Sequence, residues 1–211
     1  MVTSEQIDAF NRIAQVSRET IISLKEYENI LIDANKKLNL IGKSTEKIIW
    51  QRHFLDSFQV IDFIDKNDSI IVDMGTGAGF PGLVLAIAAK DRKIPLKVKV
   101  IEKSPKKVIF LERLINKLKI NAEAIQQNVF ENKNKFKEEV FVARAFKPLK
   151  IILELMHKKS ENFKKIFIFL GKRGSRELLE ASKSWDIKYK QRMSITSNDS
   201  IIIEVNKMKK K

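Results

Sequence analysis

Ile70-Ile71-Val72-Asp73-Met74-Gly75-Thr76-Gly77-Ala78-Gly79-Phe80-Pro81-Gly82 is the stretch on which the reading of this chain turns. A short apolar strand, Ile70 to Val72, ends in Asp73 and runs at once into four glycines within eight positions. Glycine loses more backbone entropy on folding than any other residue, so that density is costly as filler. After a buried strand it permits tight turns and lets a ligand lie against the main chain. The helical run Leu83 to Ala89 that follows brings unpaired N–H groups to the same place.

Gly77, Gly79 and Gly82 satisfy the spacing of a dinucleotide fingerprint, and Glu102 follows Gly82 by twenty residues, which makes a nicotinamide enzyme a serious rival. Asp73 leans against it, because a carboxylate there repels a pyrophosphate yet suits a cationic amino-acid cofactor. No Lys-Ser or Lys-Thr follows the glycines at the spacing of a P-loop. S-adenosylmethionine carries a sulfonium, an ammonium, a carboxylate and a ribose diol. Asp73 can orient its methionine end, and Glu102 can accept both ribose hydroxyls. The residues by themselves put a methyltransferase ahead of a nicotinamide enzyme, with a ligand-free glycine turn as the third reading.

Outward from the loop, Val98 to Ile101 forms a strand ending in Glu102, and Ser104-Pro105 caps and opens a helix reaching Leu118. Strands are predicted at Ala122 to Gln126, Val140 to Ala143 and Ile166 to Leu170, and helices around Leu149 to Met156 and Glu177 to Ser184. Lys188 to Ile195 and Ser200 to Val205 read as a closing antiparallel hairpin turning at Asn198-Asp199. Strands alternating with helices make a parallel sheet covered on both faces, an α/β fold. Three helices are expected before the first strand: Glu5 to Arg18, a second opened by a Ser23/Glu26 capping box, and Ile48 to Phe58, which carries His53 and Asp56. Residues 1–65 are thus expected to be a helical extension packed on a core of residues 66–211, the two forming one structural domain.

The chain has 211 residues and a formal charge of +15, and no cysteine, which excludes disulfides, thiolate nucleophiles and cysteine-held metals. Two histidines leave little for a histidine metal site, and no metal is expected. Residues 1–65 carry a net −2 and residues 66–211 a net +17, a field that attracts a polyanion. The tail Lys207-Met208-Lys209-Lys210-Lys211 is expected to be a frayed, solvated end. No run is long enough to span a bilayer and no signal peptide is expected, so the expectation is a cytoplasmic protein. No assembly motif argues against a monomer.

Four further pieces fit a pattern. Asn35, Asn39 and Leu40 form N-x-x-x-N-L; His53-Phe54-Leu55-Asp56-Ser57 forms H-x-L-D-S; Arg144-Ala145-Phe146 follows a strand; and Glu102 precedes the helix start Lys106-Lys107-Val108-Ile109-Phe110-Leu111. With the Phe80-Pro81-Gly82 ending of the glycine loop, these resemble the bacterial small-subunit ribosomal RNA methyltransferase G family, also called glucose-inhibited division protein B. The resemblance implies a class I S-adenosylmethionine-dependent methyltransferase fold, Rossmann-like, with a mostly parallel seven-stranded sheet and an antiparallel C-terminal hairpin. It implies S-adenosyl-L-methionine as cofactor and transfer of its methyl group to N7 of a 530-loop guanine in 16S rRNA. The rRNA would be met as such or within the small ribosomal subunit or an assembly intermediate.

Carried onto this chain, the resemblance and the loop chemistry place Asp73, Gly75, Thr76, Gly77, Gly79, Phe80, Glu102, Lys103, Asn128, Val129, Phe130, Glu131 and Arg144 around the cofactor. One departure stands out. The family usually has G-R-A-E after the third strand, where this chain has Gln127-Asn128-Val129-Phe130 and then Glu131. N7 has an in-plane lone pair and no proton, so direct in-line attack needs no general base. Arg144, His53 and Phe80 are then candidates for alignment, not for proton transfer. Arg144, Lys103, Lys106, Lys107, Lys172, Arg173 and Arg176 are candidate RNA contacts. The altered segment also motivates a rival, an rRNA-binding assembly protein with weakened catalysis; another is the same fold acting on a different substrate.

Overall fold

The computed structural model describes residues 3–211. Seven strands form one sheet in the order β3-β2-β1-β4-β5-β7-β6. They are β1 (Ile70–Met74), β2 (Lys97–Glu102), β3 (Ala122–Gln126), β4 (Val140–Arg144), β5 (Lys165–Leu170), β6 (Trp185–Ser194) and β7 (Ser197–Lys210). The first five run parallel, and β7 joins β5 and β6 antiparallel. Strand order reverses between β1 and β4, which leaves a crevice beyond their carboxyl ends.

Alternate side chains of each strand feed two apolar layers. Ile71, Val98, Val100, Val140, Val142 and Phe167 belong to one layer, with α5 (Gly82–Asp91) and α6 (Pro105–Leu118). Val72, Met74, Ile101, Phe141, Ala143 and Ile168 belong to the other, with α7 (Leu149–Lys159) and α8 (Gly174–Ser182). Burial on both faces is why Ile70 to Val72, Val140 to Ala143 and Ile166 to Leu170 read as unbroken apolar runs. Charge closes the opposite end of the sheet: Asp68 takes Lys164 and Lys165, each at 2.7 Å.

The N-terminal elements are α1 (Ser4–Ala14), α2 (Arg18–Leu38), a short α3 (Lys43–Glu46), a π-helical turn (Trp50–Leu55) and a short α4 (Asp56–Phe58). Phe10, Leu24, Tyr27, Trp50 and Phe54 pack into the α5/α6 layer and share its apolar cluster.

Four expectations need correction. The cap of α2 is Ser17, whose Oγ accepts from Thr20 N at 3.2 Å, while Ser23 lies inside the helix and donates to the Glu19 carbonyl. Asp91 decides the matter by accepting from Ser17 N and the Thr20 hydroxyl. The third helix contains a π turn, a wider turn that brings Trp50, Phe54 and Leu55 all into the core. The hairpin turns at Ile195-Thr196, with Asn198 and Asp199 inside β7, because Asp56 accepts from the Ser194 and Thr196 hydroxyls and Gln59 from Ile195 N. The basic tail is strand: Lys207 to Lys210 pair with Lys188 to Trp185.

Candidate functional site

The glycine loop is built on backbone bonds to the neighbouring strand. Gly75 N and Thr76 N donate to the Ile101 carbonyl, and Gly79 N and Phe80 N to that of Thr76. Asp73 lies beneath, 0% exposed; its Oδ2 accepts from the Thr76 hydroxyl at 2.5 Å and from Gly82 N at 2.8 Å. Its Oδ1 is buried with no partner, and burial pushes the carboxyl up to about 7 against those two hydrogen bonds. Asp73 is therefore the stitch that holds the loop, not part of the open wall. Glu102 does reach that wall, accepting from Gly77 N at 3.2 Å and Ser104 N at 2.9 Å.

Three rings brace the loop from the side. Phe80 stacks on Tyr27 at 5.4 Å and on His53 at 4.8 Å, and the Tyr27 hydroxyl donates to the Ala78 carbonyl at 2.7 Å. Both faces of Phe80 are thus covered, which removes it as a platform for a substrate base. Asn35 supplies a second brace. Its Oδ1 accepts from Leu40 N and Ile41 N, and its Nδ2 donates to the Ile41 carbonyl and to Glu46. That clamp, with the left-handed Asn39 ending α2, turns Leu40 and Ile41 into a wall of the cavity and explains the N-x-x-x-N-L pattern.

The cavity so formed is about 360 Å³ and is bounded by Gly75, Gly77, Glu102, Lys107 and Arg144 among others. A second cleft of about 550 Å³ runs from Arg52 and Phe146 to Phe169, Gly171 and Glu177. The two share His53, Arg144 and Ala145 as a common border.

Arg144 is held chiefly by the protein itself. Its Nε pairs with Asp56 at 3.2 Å, and its terminal nitrogens donate to the Arg52 carbonyl, the Ser57 hydroxyl and His53 Nδ1. The guanidinium ties the π turn to the end of β4 and spends four of its five N–H donors on the protein, which leaves one Nη1–H for a ligand at the border of the two hollows.

Because Arg144 donates into Nδ1, His53 carries its proton on Nε2, which donates to Thr45 Oγ1; that hydroxyl donates on to the Gly42 carbonyl. Burial, then the charges of Arg144 and Arg52, hold the imidazole down at about 3. The folded state therefore keeps His53 neutral while the unfolded chain protonates it below about 6.5. Its stability contribution is complete above that pH and is lost as pH falls toward 3. Between pH 7 and pH 5 the wild type is expected to lose about 2 kcal/mol more than His53→Gln in urea unfolding. Equal losses would show that His53 is protonated in the fold.

The remaining candidates disperse. Asn128 closes its own turn, bonding Glu131 and Phe130 N, and Val129 is buried. Phe130, 42% exposed, stacks on Phe146 at 5.8 Å with the Lys147 ammonium over it. None of residues 128–131 lines the cavity shared by Gly77 and Glu102. Lys103 and Lys106 are exposed and Lys107 reaches the cavity. Lys172, Arg173 and Arg176 are exposed, the two arginines lining a groove with Lys150 beside the larger cleft. The sequence reading missed Tyr27, for which no signal existed. It also gave no role to Asp56 and Ser57, although the H-x-L-D-S pattern contains both. Among the described residues no helix is long and apolar enough to cross a membrane, and no three His, Asp or Glu side chains converge as for a metal.

The family profile described as rRNA small subunit methyltransferase G matches residues 20–202. The "Ribosomal RNA small subunit methyltransferase G" of Pelagibacter ubique is 41% identical over 198 residues, 93% of this chain and 92% of the relative. That of Rickettsia felis is 34% identical, covering 93% of this chain and 98% of its own. Among solved structures, M. capricolum TrmK in complex with S-adenosyl-homocysteine superposes with a TM-score of 0.52 at 19% identity, over 72% of this chain and 67% of that one. The fold is that of class I methyltransferases, and by profile, identity and coverage together the chain belongs to the rRNA small subunit methyltransferase G family.

Proposed function

We propose that this protein transfers a methyl group from S-adenosylmethionine to N7 of a guanine in 16S rRNA, in the bacterial cytoplasm. The observation that carries the reading is the meeting of two hollows at His53, Arg144 and Ala145, one ringed by the glycine loop and Glu102, the other open to a large substrate. Two reactants seated on either side of that border are held for a direct transfer, the positioning that such chemistry needs most.

The residues present fit the cofactor. A Cβ built on Gly77 meets nothing within 4 Å, so that edge of the loop is free to receive a ligand along its backbone. Glu102 lies on the same wall as an acceptor for a ribose diol. When bound, the cofactor supplies an electrophilic methyl group on a sulfonium, which an unprotonated ring nitrogen takes without a base. The chain's part is orientation: Arg144 fixes the border, neutral His53 adds no charge that would repel the sulfonium, and Leu40 and Ile41 shield the cavity from solvent.

Glu102→Ala is expected to weaken S-adenosylmethionine binding about 10- to 100-fold in calorimetry, since the diol loses its carboxylate partner. Unchanged affinity would move the cofactor elsewhere. The function itself is tested by incubating the protein with labelled cofactor and rRNA in small subunits, and mapping the product by reverse transcription. Label appearing at one guanine, and lost when 7-deazaguanine replaces it, is the expected result. No transfer despite tight rRNA binding would favour an assembly factor.

A further inference from the structure

The larger cleft contains two carboxylates, Asp56 and Glu177. Asp56 is already committed on both oxygens and buried: Oδ2 holds Arg144, and Oδ1 accepts from Gln59, Ser194 and Thr196. Glu177 differs. Its Oε2 accepts from Leu149 N at 2.7 Å, which caps α7 and fixes the side chain from the first turn of α8. Its Oε1 makes no hydrogen bond or ion pair with any described residue, although Arg173 and Arg176 line the adjoining groove with it. Glu177 therefore brings to the lining of the cleft a carboxylate oxygen that no described residue engages.

A guanine that turns N7 toward the cofactor cavity turns its N1–H and N2–H₂ edge the other way, into this cleft. That edge offers only donors, and an ionised carboxylate is an acceptor only. We infer that Glu177 is the guanine-specificity residue, accepting hydrogen bonds from N1–H and N2–H of the target base. The inference rests on the N7 reading above and adds to it. As the N7 lone pair forms the new C–N bond and the C–S pair leaves with sulfur, the purine gains a positive charge and N1–H becomes a stronger donor. The contact with Glu177 strengthens along the reaction, so it acts on rate more than on ground-state binding. Adenine has no N1–H and meets the carboxylate with a lone pair, which excludes it.

The test is a cycle between protein and base in single-turnover methyl transfer. Wild-type protein and Glu177→Gln are each given small subunits whose rRNA carries guanine or inosine at the modified position. Inosine lacks only the 2-amino group, and Gln retains an oxygen for Leu149 N, so melting temperature and cofactor affinity should stay near wild type. Expected are a loss of about tenfold on inosine for the wild type, a similar loss on guanine for Glu177→Gln, and little further loss when both changes are combined. Losses that multiply, or a variant as fast as wild type, would overturn the assignment. So would a wild type indifferent to inosine, a result that does not depend on the variant folding. Transfer to a 7-deazaguanine substrate would instead sink the N7 reading beneath it.

Discussion

Arg144→Ala is expected to destabilise the protein by about 3–5 kcal/mol in urea unfolding. The loss arises from what stays behind. The Asp56 side chain is 5% exposed, and without Arg144 its charge is buried with no cation beside it. The Ser57 hydroxyl, the Arg52 carbonyl and His53 Nδ1 lose a donor in the same step. Because these partners lie on the π turn and α4, the border between the two hollows loosens with them, and methyl transfer should fall further than the unfolded fraction explains. Arg144→Lys keeps a charge but not the planar fork and should fall between the two. A loss under about 1 kcal/mol for Arg144→Ala would mean that the pair with Asp56 carries little weight.

Gly79→Ala is the second large effect, set against Gly77→Ala as its control. Gly79 has φ +98°, and a Cβ there would land on the Tyr27 hydroxyl and within 2.8 Å of Leu83 Cδ1. The chain would have to give up the Tyr27 bond to Ala78 or move the start of α5, on top of the backbone strain. The sum is about 3–5 kcal/mol from strain, a lost buried hydrogen bond and overpacking. Gly77 has φ +61° but open space where its Cβ would stand, so its alanine variant carries only the left-handed penalty of about 1–2 kcal/mol. Gly77→Ala should remain folded while binding the cofactor less well, because the methyl group protrudes over the free edge of the loop. Comparable melting temperatures for the two variants would refute the role given to Tyr27.

Strands β1, β4 and β5 were readable because they are short apolar runs buried on both faces; Glu102 ends β2 as expected, and β1 runs one residue past Asp73 to Met74. What escaped prediction depends on contacts distant in sequence. Ser17 outcompetes Ser23 as a cap only because Asp91 waits 74 residues away, and the hairpin turns at Ile195 only because Asp56 and Gln59 meet it there. The candidate site divides in the same way. Glycine spacing revealed the loop, yet nothing local distinguishes an Asp73 that faces a ligand from one that stitches the loop from below. Arg144 looked like a hand held out to RNA, and its partners, Asp56 and Ser57, lay almost ninety positions upstream in a pattern noticed for other reasons. At residues 127–131 the altered residues make a self-contained turn and an aromatic pair with Phe146.

The hydroxyl-to-carbonyl bond from Tyr27 to Ala78 has a wider consequence. A hollow whose floor belongs to one part of the chain and whose side wall belongs to another exists only while the two are docked. Occupancy of that hollow and attachment of the first helices are then coupled equilibria, each shifting the other by the same free energy. Anything that pries the amino-terminal segment loose, at a site however distant from the chemistry, acts as an inhibitor competing with the methyl donor.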